Sequence, residues 1–119
     1  MFLVIPHRHY TFDKTRALTS LEHLLTDYRE YKYEDDAIDI MDFIENVAEE
    51  ARGSIDPVDI CRKYLRRQFI DIHYHTFTES SFWEIAEWCQ KNVSPWKSWR
   101  IVNRVQRQEF NEFYVEFCK

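Results

Sequence analysis

The sequence predicts a mainly α protein, a compact five-helix bundle in one domain over residues 1–119. Three observations carry this. Apolar residues recur at helical spacing in five stretches. Ser, Asp and Pro cap signals precede most of these stretches. Connections between them are short. Residues 2–5 and 70–76 also fit a short two-stranded ribbon laid on the bundle.

The elements follow in chain order. Phe2 to Ile5 is an apolar run closed by Pro6, which suits an edge strand. Asp13 can cap a helix with Ala17, Leu18, Leu21, Leu24, Leu25 and Tyr28 on one face. His23 lies on this helix with no special role assigned. The next helix, over 34–52, places Ala37, Met41, Ile44, Val47, Ala48 and Ala51 on its apolar stripe, and Gly53 is expected to end it in a left-handed conformation. Asp56-Pro57 reads as cap and first helical residue, followed by Ile60, Cys61, Tyr64, Leu65 and Phe69 at helical spacing. Residues 70–75 alternate as strands do, yet Phe69, Ile72 and Thr76 also extend the preceding helix. Ser81 and Glu84 form a capping box before Phe82, Ile85, Ala86 and Cys89. Ser94-Pro95 opens a last helix to the C-terminus, with Trp99, Val102, Phe110, Phe113 and Phe117 inward.

Composition excludes several classes. No run of 18 apolar residues exists, so no membrane span is expected. The start MFLVIPHRHY lacks a basic leader region, which argues against a secretory signal. Cys61, Cys89 and Cys118 are widely spaced and odd in number, which favours a reducing, cytoplasmic setting over a disulfide framework. A single glycine rules out a Gly-rich phosphate loop, and no Ser or Cys sits in a nucleophile motif. No cofactor is expected, and the balance tilts away from an enzyme.

Charge is concentrated. Residues 27–59 carry three basic and twelve acidic side chains, whereas the whole chain has a net charge of −5. On a helical wheel Asp35, Asp39, Asp42, Asn46 and Glu49 fall on one line, flanked by Asp36 and Glu50 on one side and Glu45 on the other. Over 34–50 this gives about one carboxylate per 3 Å, close to the phosphate spacing of a single nucleic-acid strand. Tyr31 and Tyr33 precede the acidic helix with no apolar stripe to join, and Ile38 and Phe43 lie at its edge. Tyrosine is enriched at interfaces because it offers stiff contact area with a polar tip. These residues form the candidate partner-binding surface. On the last helix, Lys97, Arg100, Arg104 and Arg107 recur at spacings of 3, 4 and 3 beside Trp96 and Trp99, a pattern that could hold phosphates and stack bases. The low pI of 5.5 opposes direct nucleic-acid binding and favours ion pairing.

The histidines supply the other chemistry. His7/His9 and His73/His75 are two His-x-His pairs, with Asp71 at the parity of the second. On adjacent strands they could ligate zinc or iron, or act as acid and base in phosphodiester cleavage. Arg67 and His73, with five residues between them, resemble the Arg…His signature of small helical ribonucleases of the HEPN group. That resemblance covers two residues and implies RNA cleavage on a helical scaffold.

The leading functional expectation is a small acidic inhibitor or regulator. It would lay the acidic helix and its tyrosines on the basic, nucleic-acid-binding surface of a partner protein, as immunity proteins and phage antagonists of defence do. A homodimer is compatible with this reading. The alternatives are a metal- or histidine-dependent nuclease built on the two histidine pairs, and a nucleic-acid binder built on the basic stripe.

Overall fold

The computed structural model describes residues 1–30, 32–93, 95–103 and 111–119. Within these, the chain runs β1 (Phe2–Pro6), a 3-10 turn (Arg8–Tyr10), α1 (Leu21–Glu30), a 3-10 turn (Tyr33–Asp35), α2 (Asp36–Asn46), α3 (Glu49–Arg52), α4 (Pro57–Leu65), α5 (Glu79–Asn92), β2 (Ser98–Asn103) and β3 (Glu112–Cys118). The three strands form an antiparallel sheet in the order β1-β3-β2.

The sheet overturns the five-helix bundle: the fold is mixed α and β. The expected last helix is instead the β2–β3 hairpin. Phe113, Val115 and Phe117 are buried while Glu112, Tyr114 and Glu116 alternate with them, which is the period of a strand with one covered face. The expected ribbon between 2–5 and 70–76 does not form. β1 pairs with β3, with Ile5 opposite Phe113, and residues 70–76 are irregular. β3 is the better partner because its inner row continues the apolar face of Leu3 and Ile5.

The helix expected over 34–52 breaks at Val47 and Ala48, whose ψ angles of 146° and 140° are extended. Both residues are buried, and the Ala48 N–H donates to the Phe12 carbonyl at 2.8 Å. A tertiary contact thus replaces a helical one. Gly53 is right-handed, at φ −67°. The left-handed residue is Arg67, at φ 53°, which follows α4; its N–H reaches the Tyr64 carbonyl and that of Gln68 reaches Lys63. Asp13 does not cap α1, which starts after Ser20; the His23 N–H donates to Ser20 Oγ at 3.1 Å. Asp56 does cap α4, accepting from the Val58 and Asp59 N–H groups. α5 begins at Glu79, earlier than Ser81 suggested, with Thr78 and Ser81 as its capping box.

Two cores lie side by side. In the first, Ile5, Phe113, Val115 and Phe117 pack on Phe82, Ile85 and Ala86 of α5. In the second, Ile40, Phe43 and Val47 pack on Ile60 and Ile70. This arrangement explains a radius of gyration of 15.5 Å and a shortest extent of 20 Å, flatter than the roughly 13–14 Å sphere-like packing of this length. The outer sheet face is uncovered: Phe2 and Val4 are exposed, and Phe2 stacks on Tyr114. Among the described residues no helix is long and apolar enough to cross a membrane. Tyr31, Ser94, Arg104, Arg107, Glu109 and Phe110 lie outside the described residues.

Because Phe113 is wholly buried at the junction of sheet and α5, Phe113→Ala should lower unfolding free energy by about 3–5 kcal/mol in urea titrations. Phe69→Ala, at a residue 84% exposed, should change it by less than about 0.5 kcal/mol.

Candidate metal centre

The site is built around residues 66–78, which carry His73 and His75 between α4 and α5. Arg16 fixes this segment from within. Its guanidinium is 1% exposed and donates to four groups: Asp42 Oδ2 (2.8 Å), Asp13 Oδ1 (2.8 Å), the His73 carbonyl (2.5 Å) and the Tyr74 carbonyl (3.1 Å). One cation therefore satisfies two carboxylates and two main-chain carbonyls that no secondary structure pairs. Downstream, the Thr76 and Thr19 main chains are joined by Thr19 N–H to the Thr76 carbonyl and Thr76 N–H to Thr19 Oγ1, both at 3.0 Å. His75 is pinned on both flanks.

The two histidines of this segment then part. His73 Nδ1 donates to Asp13 Oδ2 at 2.6 Å, and its ring stacks on Phe12. His75 turns the other way, toward α1 and α2. There it meets His23 and Asp27, four residues apart and so on one face of α1, and Asp39 of α2. One ligand atom from each of these four side chains lies within 4.8 Å of every other. His23 Nε2 is 3.2 Å from Asp27 Oδ2 and 3.5 Å from Asp39 Oδ1, and His75 Nε2 is 3.8 Å from Asp27 Oδ2.

These contacts are close without being aligned. His23 Nε2 is buried and makes no hydrogen bond despite two carboxylate oxygens nearby, and His75 Nδ1 is buried without a partner. His23 Nε2, unpaired beside the Asp27 and Asp39 carboxylates, is a donor that a metal ion placed among them would satisfy. Ligand bonds of about 2.0–2.1 Å in tetrahedral array put ligand atoms about 3.4 Å apart, within the span found here. Burial pushes Asp39 above the usual carboxylate range, reinforced by the Asp27 charge and opposed by His75, His23 and Arg16. Burial likewise pushes His75 down, with His23 and Arg16 adding to it and Asp39 and Asp27 opposing. A depressed imidazole stays neutral, the form that binds metals. Two imidazoles and two carboxylates suit first-row divalent ions such as Zn²⁺ or Fe²⁺ better than Mg²⁺ or Ca²⁺.

Of the sequence-predicted metal ligands, His75 alone is in this cluster. His7 is buried against Tyr10 and Phe113, His9 and Asp71 are exposed, and His73 belongs to Asp13. The HEPN-like pair is not on one helix: α4 ends at Leu65, Arg67 lies over the Tyr33 ring, and His73 is in the irregular segment. His23, Asp27 and Asp39 were missed. The readable signal was His23-x-x-x-Asp27 inside a helical pattern, which sets two ligand types on one face.

The predicted partner-binding residues divide. Asp42 binds Arg16, Asp39 enters the cluster, Glu50 pairs with Lys14, and Asp35 accepts the Lys32 N–H. Phe43 is buried, and Tyr33 stacks on Tyr64 and donates to its carbonyl. Asp36 lies in the first turn of α2 and is half-buried, whereas Ile38, Glu45 and Glu49 are exposed. Of the basic stripe, Arg100 pairs with Glu116 across the hairpin, and Lys97 precedes β2. Comparison with protein-family models, curated proteins and solved structures finds no significant match.

Removing the central cation should be severe. Arg16→Met leaves Asp13 and Asp42 without their cation, and unfolding free energy in urea should fall by about 3–5 kcal/mol. Burial alone would raise the Asp13 pKa, but hydrogen bonds and charges from His73 and Arg16 outweigh it and hold the carboxyl below its ordinary range. Asp13 therefore stabilises the fold above its unfolded pKa of about 4, and this contribution is lost as pH falls through the lower folded value. Urea midpoints should drop between about pH 5 and 2, and drop less steeply in Asp13→Asn.

Proposed function

We propose that this chain is a metalloprotein whose activity resides at one first-row divalent ion held by His23, Asp27, Asp39 and His75. The observation that carries the reading is the convergence of these four ligand atoms, from α1, α2 and the 66–78 segment, within 4.8 Å. A bound ion would neutralise the two carboxylates. It would supply Lewis-acid chemistry, polarising a bound carbonyl or lowering the pKa of a bound water. Metal-assisted hydrolysis is the reaction class such a centre supports. Its approach is a cleft of about 340 Å³ that His23 and Asp39 line together with Leu18, Ser20 and Tyr74. Three free cysteines fit a reducing, cytoplasmic compartment.

A second reading, a regulator that docks on a basic protein, is favoured by Ile38 and Met41 of α2. They are 67% and 47% exposed, with exposed Glu34, Asp35 and Glu45 around them.

Chelator-stripped protein titrated with Co²⁺ should develop visible d–d bands that saturate at one ion per chain. His23→Ala and Asp39→Ala should each weaken binding by more than the roughly 10–100-fold that loss of an outer-shell partner costs. His9→Ala should leave the titration unchanged. Spectra without d–d bands, or equal affinity in all four proteins, would remove the metal reading.

A further inference from the structure

The metal cleft does not end at the metal. Ile38 and Asp42, which line it, also line a neighbouring shallow depression of about 510 Å³ formed with Met41 and Glu45. The two adjoin along α2, sharing these two residues. Ile38, Met41 and Glu45 follow at spacings of 3 and 4, so they form a single outward row on the helix. Ile38 and Met41 give this row an exposed apolar stretch beside the cleft that His23 and Asp39 line.

The charge that α2 itself brings to it is of one sign. No basic side chain occurs between Tyr33 and Ala51. Arg16, the cation within the cleft, is engaged by two carboxylates and two carbonyls. A divalent ion with two aspartate ligands carries no formal excess charge. Among the described residues that line the two depressions Arg16 is the only Lys or Arg, and Arg52 reaches the Glu45 carbonyl at 3.3 Å from beyond them. The exposed carboxylates of Asp35 and Glu45 would steer a cationic ligand in and oppose an anionic one.

From this juxtaposition we infer that the ligand presented to the metal is a cationic polypeptide segment, lying along α2 with apolar side chains on Ile38 and Met41 and basic side chains toward Asp35 and Glu45. The inference rests on the metal reading and narrows it: the substrate class is a basic protein or peptide rather than a nucleic acid.

The test uses the full chain loaded with Co²⁺. Three fluorescein-labelled probes are compared: an amphipathic Leu/Lys peptide, its Leu/Glu counterpart and a single-stranded oligonucleotide. Anisotropy should show binding of the Leu/Lys peptide, and its addition should shift the Co²⁺ d–d bands. Ile38→Lys and Glu45→Lys, both exposed changes, should each weaken it by about tenfold or more. The inference is overturned if the oligonucleotide or the Leu/Glu peptide binds as tightly, if either variant binds unchanged, or if the d–d bands stay still. Failure of Co²⁺ to bind overturns the metal reading and this inference together. Failure of the peptide on Co²⁺-loaded protein overturns this inference alone.

Discussion

A buried guanidinium organises this protein. Arg16 lies where the 10–20 segment, α2 and residues 73–74 meet, and its donors answer a carboxylate from each of the first two and two carbonyls from the third. Such a charge is tolerable in a dry interior because two carboxylates and two carbonyls accept its hydrogen bonds. Arg16 also lies over the Phe43 ring, 5.5 Å from its centroid, so the polar knot is continuous with the second core. The position of His75, and with it the candidate centre, follows from this knot. The carbonyls of His73 and Tyr74 are held before the chain reaches His75, and Thr76 is held just after.

Features governed by neighbours in sequence were legible. Asp56-Pro57 announces α4 because a cap needs only the next three residues. The run of Phe82, Ile85, Ala86 and Cys89 announces α5 in the same way. Features governed by distant segments were not. The break at Val47 and Ala48 comes from a hydrogen bond to Phe12, more than thirty residues away. The C-terminal hairpin is a different case. Phe113, Val115 and Phe117 alternate as a strand does, but the Ser94-Pro95 start and the apolar residues Trp99, Val102, Phe110, Phe113 and Phe117 also suit a helix, and only pairing with distant β1 decides between them. His75 was visible as a ligand type, but its companions lie on elements whose packing no local pattern discloses.

The acidic stretch has two fates on one helix. Asp42 turns toward Arg16, which relieves part of the like-charge repulsion that the composition implies, and Asp39 turns toward His23 and His75. Glu45 keeps its charge in solvent, beside Ile38 and Met41. The inward carboxylates shape the interior, and the outward ones set the potential that an approaching molecule meets. A count of acidic residues cannot separate these roles, because an advance of one residue turns the side chain by about 100°.

The four converging side chains come from positions 23, 27, 39 and 75, so the unfolded chain cannot keep them together. Occupancy and folding would then be thermodynamically linked. An ion at a free concentration a hundred times its dissociation constant adds about 2.7 kcal/mol to the native state. That is a large fraction of the stability of an ordinary domain. The working temperature range of the molecule would thus track the supply of a trace element, and scarcity would be felt first as unfolding and turnover.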